Sequence, residues 1–170
     1  MKPLLIVDGY NIIGAWPEAR RAGWSMEESR EHLLRELQSY AGFSGSEIVL
    51  VFDGYQSDRK FRTEETYGDV TLVYTMQGET ADSYIERRAA LNPRYRPMSV
   101  ATNDGLEQSQ ILSSGAVRVT ARELLRELSQ SHAHGMRAAA SRTTKPGASI
   151  GEQLPDDVLR QLEDLRRNRT

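Results

Sequence analysis

Short apolar runs alternate along the chain with segments in which apolar residues recur at helical spacing. Four runs predict strands, at 4–7, 48–52, 70–74 and 99–101, and a weaker fifth lies at 116–119. The first two runs have no polar alternation, which is typical of central strands covered on both faces. This pattern indicates an α/β fold, which we predict to be a three-layer α/β/α sandwich around a central, mainly parallel sheet of four or five strands.

Helix starts are marked by capping boxes, in which a hydroxyl side chain and an acid three residues later bind each other's backbone N–H. The two boxes are Ser25 with Glu28 and Thr120 with Glu123. A third helix is predicted to begin at Thr80 and to end near Asn92, because the following Pro93 disfavours helix in the residue before it. A short polar helix is predicted within 104–113.

The pattern changes in the last quarter of the chain. Residues 135–153 are rich in Ala, Ser, Thr and Gly without hydrophobic periodicity, and they predict a linker or loop. A last helix is predicted over 154–170, with Pro155 near its start and leucines along one side. We therefore expect an α/β domain at 1–134, a linker at 135–153 and a C-terminal helix at 154–170.

Composition limits the possible classes of protein. A length of 170 residues suits one domain, and a net charge of −2 means that any nucleic-acid binding depends on local basic patches. The absence of cysteine excludes a disulfide framework, a cysteine zinc site and a thiol nucleophile. No apolar run approaches the ~20 residues of a membrane helix, and no signal peptide precedes the first strand, so we expect a cytoplasmic protein.

Three of the predicted strands are each followed by an aspartate and a glycine. The pairs are Asp8-Gly9, Asp53-Gly54 and Asp104-Gly105. Asp-Gly is a common turn pair, so each one alone has an ordinary structural explanation. Parallel strands, however, bring their carboxyl ends to one edge of an open sheet, where ligands bind. A fourth carboxylate, Asp82, lies in the first turn of the helix predicted from Thr80, where acids often complement the helix dipole.

Together these four aspartates predict a metal site, because carboxylates this close repel one another unless a cation lies among them. Oxygen donors without histidine or cysteine favour Mg²⁺ or Mn²⁺, and such a site suits phosphate chemistry. Asp8, Asp53 and Asp104 would hold one cation and Asp82 with Asp104 a second; the sequence leaves one ion or two open. The chain has no P-loop, dinucleotide fingerprint or serine nucleophile elbow.

Four motifs also give the chain a resemblance to a known family. They are Asp8-Gly9-Tyr10-Asn11, Phe52-Asp53-Gly54, Glu79-Thr80-Ala81-Asp82 and Thr102-Asn103-Asp104. Over about residues 4–128 the chain resembles the NYN domain family of PIN-like metal-dependent ribonucleases, and within it the YacP-like branch. The resemblance implies endoribonuclease activity with Mg²⁺ or Mn²⁺, and for this branch an association with translating ribosomes, so that mRNA is the expected substrate.

The resemblance implies a role for each matching residue. The acidic residues would form the catalytic, metal-binding cluster: Asp8, Asp53, Asp82 and Asp104. Asn11 would orient the turn at Asp8 or a water on the phosphate, and Glu79 and Asn103 would be supporting hydrogen-bonding groups. Capping of a turn or helix is the alternative for these last three residues.

Two basic clusters are predicted to contact RNA, one after the second strand and one on the helix that begins at Thr80. Their members are Tyr55, Arg59, Lys60, Arg62, Arg87 and Arg88. The first cluster combines positive charge with an aromatic ring on which a base can stack. A solvated helix face is the alternative for Arg87 and Arg88.

Two other functions are compatible with the same pattern. One is a non-catalytic RNA- or ribosome-binding module that keeps the fold, although the complete acidic set argues against it. The other is a DNA flap-type nuclease, since related PIN-like folds use a similar carboxylate cluster. The sequence does not separate the two sugars, because recognition of the 2′-hydroxyl depends on contacts that it does not locate.

Overall fold

Six strands form one sheet in the computed structural model, which describes residues 1–55, 57–103 and 114–143. The strands are β1 (Leu4–Asp8), β2 (Glu47–Phe52), β3 (Thr63–Tyr67), β4 (Val70–Tyr74), β5 (Met98–Ala101) and β6 (Val117–Val119). The described helices are α1 (Gly9–Gly14), α2 (Pro17–Ala22), α3 (Met26–Ser44), α4 (Ala81–Ala90) and α5 (Ala121–Thr143).

The N-terminal strand lies in the middle of the sheet. The strand order is β3-β4-β2-β1-β5-β6, with β1 parallel to both β2 and β5. Only β3 runs antiparallel, paired with β4 at one edge. From β1 the chain moves first towards β2 and β4 and then crosses back to β5, so the strand order reverses between β1 and β5. In open α/β sheets, ligands bind at the carboxyl ends of the strands at such a point.

Helices cover both faces of the sheet, which confirms the predicted three-layer α/β/α architecture. One face packs against α1, α2, α3 and α5, in a core that contains Leu50, Leu33 and Leu124. The other face packs against α4, with Ile6 of β1 against Ile85 of the helix. All five residues of β1 are buried, as expected for a strand covered on both faces.

The prediction of four or five strands is wrong, because the sheet has six. The missed strand is β3, with the sequence Thr-Glu-Glu-Thr-Tyr and every residue exposed. A strand at the edge of a sheet needs no apolar face, so the hydrophobic pattern does not reveal it, and its glutamates are typical of edge strands. The short helices α1 and α2 were also not predicted, because Gly9 and Pro17 resemble turn residues.

Both capping boxes are present in the structure. Glu28 N–H donates to Ser25 Oγ at 3.1 Å, and Ser25 N–H donates to Glu28 Oε2 at 2.8 Å. The second box opens α5 with the same reciprocal bonds at 3.1 and 3.0 Å. The third predicted helix is α4, which begins after Thr80 as expected and ends at Ala90.

The predicted linker at 135–153 is wrong over its first part, because α5 continues without interruption to Thr143. Ala-rich sequence has high helix propensity, and it extends an existing helix without needing a buried face. Contacts within the chain divide it into two compact units, Met1–Gly135 and Met136–Thr170. The structure describes the second unit only over residues 136–143. The helices predicted within 104–113 and 154–170 lie outside the described residues. Among the helices that are described, none is long and apolar enough to cross a membrane.

Candidate active site

Asp8 occupies the central position at the carboxyl edge of the sheet. It is the last residue of β1 and aligns with Val51 of β2, while the preceding Val7 aligns with Ala101 of β5. The residue is 8% exposed, so Asp8 is buried at this edge. Helix α1 begins immediately after it at Gly9, so the Asp8-Gly9 pair is a strand-to-helix junction and not a turn between strands.

Gly9 is required at this junction by close packing. A Cβ atom added to Gly9 would lie 2.3 Å from Phe52 Cε1. The Phe52 ring is fully buried between Tyr10, at 4.9 Å between ring centroids, and Tyr74, at 5.5 Å. The aromatic ring therefore has no room to retreat, and only glycine allows α1 to start directly behind Asp8.

Replacing Gly9 with alanine is expected to lower the free energy of unfolding by about 1–3 kcal/mol, the usual effect of overpacking a filled core. Urea unfolding measures this difference. Gly14→Ala is the matched control in the same helix, since an added Cβ there meets no atom of the described residues within 4 Å. Equal stabilities for the two variants would contradict the packing at Gly9.

Asp53 follows β2 directly and organises the neighbouring loop and helix. Its Oδ1 accepts a hydrogen bond from Tyr55 N–H at 2.7 Å, and its Oδ2 accepts one from Ala81 N–H at 3.1 Å. The first bond is an Asx turn, the local structural role that an Asp-Gly pair commonly has. The second bond brings the N-terminus of α4 to the edge of the sheet that carries Asp8. Each carboxylate oxygen accepts one of these bonds and has a further lone pair.

Asp82 is the second residue of α4 and is half-buried. Because the backbone N–H of Ala81 donates to Asp53, the next residue, Asp82, also lies at this edge of the sheet. Thr80 caps this helix by accepting a bond from Ser83 N–H at 3.1 Å, as its position in the sequence predicts. The structure thus brings Asp8, Asp53 and Asp82 to one edge, and Asp104 lies outside the described residues.

Glu79 is buried and is held by two arginines. Its Oε1 accepts a bond from Arg62 Nε at 2.9 Å, and its Oε2 accepts further bonds from Arg62 and Arg87. The hydrogen bonds from Arg62 and then from Arg87 hold the pKa of Glu79 well below its usual range, to about 2, although burial opposes this shift. Glu79 is therefore ionised at neutral pH and supports the loop that leads into α4.

A residue not singled out from the sequence links the loops after β2 and β4. Thr75 is fully buried; its Oγ1 accepts a bond from Gly54 N–H at 2.6 Å and donates to the carbonyl of Glu79 at 2.8 Å. It fixes the segment after Asp53 relative to the segment before Asp82. In the sequence, Thr75 is only a threonine that follows a predicted strand. Such residues are common, so the sequence alone does not indicate its role.

Asn11 and Asn103 form a second link, across the point where the strand order reverses. Asn11 Oδ1 accepts a bond from the backbone N–H of Asn103 at 2.9 Å. Asn103 Oδ1 in turn accepts one from Ala121 N–H, at the start of α5, at 3.0 Å. Both asparagines therefore support the backbone, and they hold the chain in place immediately before Asp104.

The residues predicted to bind RNA differ in their surroundings. Arg62 and Arg87 bind Glu79, and Arg88 lies 3.9 Å from Glu47. Arg59 lies over the ring of Tyr74, 4.5 Å from its centroid. The remaining two members of the set, Tyr55 and Lys60, are exposed. Contact between any of these residues and RNA stays a prediction.

The chemistry of the donor set fits a hard divalent cation, because the acidic residues at this edge offer only carboxylate oxygens. Within the described ranges no three acidic or histidine side chains form a group able to hold a metal ion. Asp104, the fourth predicted ligand, is not among those residues. The metal site therefore stays a prediction for Asp8, Asp53, Asp82 and Asp104 acting together.

Fold and site together define the class of protein. A mainly parallel sheet with helices on both faces, whose strand order reverses beside the buried Asp8, is the arrangement of a doubly wound α/β domain with a candidate ligand site at that edge.

Comparisons with known proteins identify the family. The family model described as the YacP-like NYN domain matches residues 5–167. The chain is 38% identical over 168 residues to the uncharacterized protein YacP of Bacillus subtilis (strain 168), covering 96% of each protein. The chain therefore belongs to the YacP-like NYN domain family, as its motifs indicated, and the match extends beyond the range of 4–128 that carried the resemblance.

Solved structures show the same relationship. A crystal structure of Rae1 (YacP) from Bacillus subtilis matches with a TM-score of 0.70 and 36% identity, over 98% of this chain and 95% of that one. A tryptophan-to-leucine variant of the same protein matches with a TM-score of 0.72 and 34% identity, over 88% and 89% of the two chains. The NYN fold of the described residues is thus shared with this relative.

Proposed function

We propose that this protein is a divalent-metal-dependent endoribonuclease that hydrolyses phosphodiester bonds of RNA, with mRNA in the context of translation, at the ribosome, as its substrate. The observation that carries the proposal is the position of Asp8. This buried carboxylate ends the central strand where the strand order reverses, and Asp53 and Asp82 share its edge of the sheet. Membership of the YacP-like NYN family supports the choice of a nuclease.

Asp8, Asp53, Asp82 and Asp104 are the residues that would hold Mg²⁺ or Mn²⁺. When bound, the cation would neutralise charge on the phosphodiester and lower the pKa of the attacking water. The carboxylates need such a counter-charge, because on their own they repel both one another and the anionic substrate.

The other residues of the site keep these carboxylates in place. Backbone N–H groups of Tyr55 and Ala81 restrain the two oxygens of Asp53, and Thr75 secures the loop around it. Such restraint matters because reacting groups must be held to within fractions of an ångström. Water is the proposed nucleophile: its oxygen forms a bond to phosphorus as the ester P–O bond breaks, without a covalent intermediate on the protein.

Cleavage of end-labelled RNA tests the proposal directly. Single-stranded RNA, structured RNA and matched DNA are incubated with the protein in Mg²⁺, Mn²⁺ or EDTA, with and without ribosomes. We expect internal cleavage of RNA that requires the metal and stops in EDTA. Cleavage in EDTA, cleavage confined to DNA, or binding without cleavage in every arm would contradict the proposal, and the last two outcomes would favour a DNA flap-type nuclease and a non-catalytic binding module.

A further inference from the structure

We propose that the groove between α2 and α5 binds the phosphate backbone of single-stranded RNA next to the candidate active site. The inference rests on the proposed function and deepens it by naming where the substrate lies. The groove has a volume of about 430 Å³ and is lined by arginines from both helices, Arg21, Arg122 and Arg126. A cavity of several hundred cubic ångströms is large enough for a nucleotide.

The arginines of this groove differ from those near Glu79 in their surroundings. All three are exposed, and none lies within ion-pair distance of a carboxylate in the part of the chain that the structure describes. Arg62 and Arg87, by contrast, neutralise the buried Glu79. The charge of the groove is therefore available for an anionic ligand.

The acidic residues of α5 are engaged away from the groove. Glu123 accepts a bond from Thr120 N–H at 3.0 Å in the capping box. Glu127 accepts a bond from Tyr40 Oη, on α3, at 2.6 Å. One carboxylate, Glu18, lines the groove beside its three arginines, so the lining has an excess of positive charge.

The shape of the groove fits a polynucleotide better than a free anion. Arg122 and Arg126 are four residues apart and share one face of α5, as the lining confirms. Leu125 provides apolar surface beside the cations, with the buried Trp16 behind it, which suits contact with ribose and base while the guanidinium groups bind phosphate oxygens in pairs.

The groove also leads to the candidate active site. Asn103 lines it, and the same residue is bound by Asn11 at the junction behind Asp8 and accepts a bond from the N-terminus of α5. An RNA chain that lies in the groove therefore passes the carboxyl ends of β1 and β5. This places the cations that attract RNA beside the acidic residues that would act on it.

Binding of labelled single-stranded RNA by the full chain in EDTA tests the groove, with Arg122→Gln/Arg126→Gln as the variant. We expect at least about tenfold weaker binding, because two charge-assisted contacts are lost. The slope of log affinity against log salt is expected to flatten by about 1.4, since each phosphate contact on a single strand contributes about 0.7. Fluorescence anisotropy between about 50 and 200 mM salt measures both quantities.

The matched control is Arg35→Gln/Arg94→Gln, which removes the same charge from exposed positions outside the groove. Arg122→Lys/Arg126→Lys keeps the charge without the planar fork, so it should retain the salt slope and lose part of the affinity. Circular dichroism verifies that each variant is folded. If the Arg122/Arg126 glutamine variant and the control have equal RNA affinities and equal salt slopes, the proposal that the groove binds RNA is wrong.

A cleavage assay in Mn²⁺, with and without ribosomes, separates this proposal from the proposed function. If the wild-type chain cleaves RNA with metal and the groove variant binds RNA as well as wild type, only the proposal that the groove binds RNA is wrong. A wild-type chain that neither binds nor cleaves RNA would overturn both. Cleavage that weakens in parallel with binding in the groove variant would support both.

Discussion

Replacing Asp8 with asparagine is expected to reduce metal-dependent RNA cleavage by more than about 100-fold while leaving the protein folded, since changes even to groups behind a metal ligand typically cost 10–100-fold. Asparagine has nearly the shape of aspartate but lacks its negative charge. Asp8 ends the central strand of the sheet and is buried, so the substitution removes a negative charge from the centre of the candidate site. The initial rate of cleavage of end-labelled RNA measures the loss.

The control for this variant is Asp69→Asn. Asp69 precedes β4 at the opposite edge of the sheet and forms a surface ion pair with Lys2 at 2.7 Å. Exposed pairs of this kind contribute little to stability, about 0–1 kcal/mol. The melting temperature with and without Mn²⁺ provides a second measurement, because a bound ion stabilises the folded state. Cleavage by Asp8→Asn at the wild-type rate would remove Asp8 from the site.

The Glu79→Gln variant is expected to lose about 3 kcal/mol of folding free energy at pH 7. The pKa of Glu79 falls from its ordinary value of 4.5 to about 2 in the folded protein, chiefly through hydrogen bonds from Arg62. Each unit of such a difference corresponds to about 1.4 kcal/mol of stability. Urea unfolding at pH 7 measures the effect, with the exposed Glu31→Gln as the control.

The dependence on pH has a defined direction. Because the pKa of Glu79 is lowered on folding, its contribution is complete above about pH 4.5 and disappears as the pH falls towards 2. The difference in stability between wild type and Glu79→Gln should therefore be constant from pH 7 to pH 5 and shrink below that. A difference that persists undiminished at pH 2.5 would show that the carboxylate charge is not its source.

The parts of the fold that bury apolar surface were predictable from the sequence. β1 and β2 are continuous apolar runs, and α3 begins with a capping box that depends only on local contacts. β3 was not predictable, because an exposed edge strand is held by backbone pairing with β4 and not by its side chains. The continuation of α5 past residue 135 depends on the helical residues that precede it, and the composition of 135–153 taken by itself does not include them.

The candidate site was predictable in its acidic residues but not in what holds them. Parallel strands bring their carboxyl ends to one edge of the sheet, so the aspartates at the ends of β1 and β2 indicated a shared site there. The partners of Glu79 come from residues 62 and 87, and this pairing is set by the tertiary structure. The same is true of the basic groove, because Arg21 and Arg122 are distant in sequence and meet only when α2 packs beside α5.

The central position of the first strand also has a consequence for biosynthesis. β1 precedes the other strands of the sheet during translation, but β5, its neighbour on one side, begins about 90 residues later. At about 5–20 residues per second this delay is roughly 5–20 s, during which one edge of a largely apolar strand has no partner. N-terminal fragments released before β5 has been made would therefore expose an unpaired strand edge that is prone to aggregate, and they would lack the β5 side of the candidate active site.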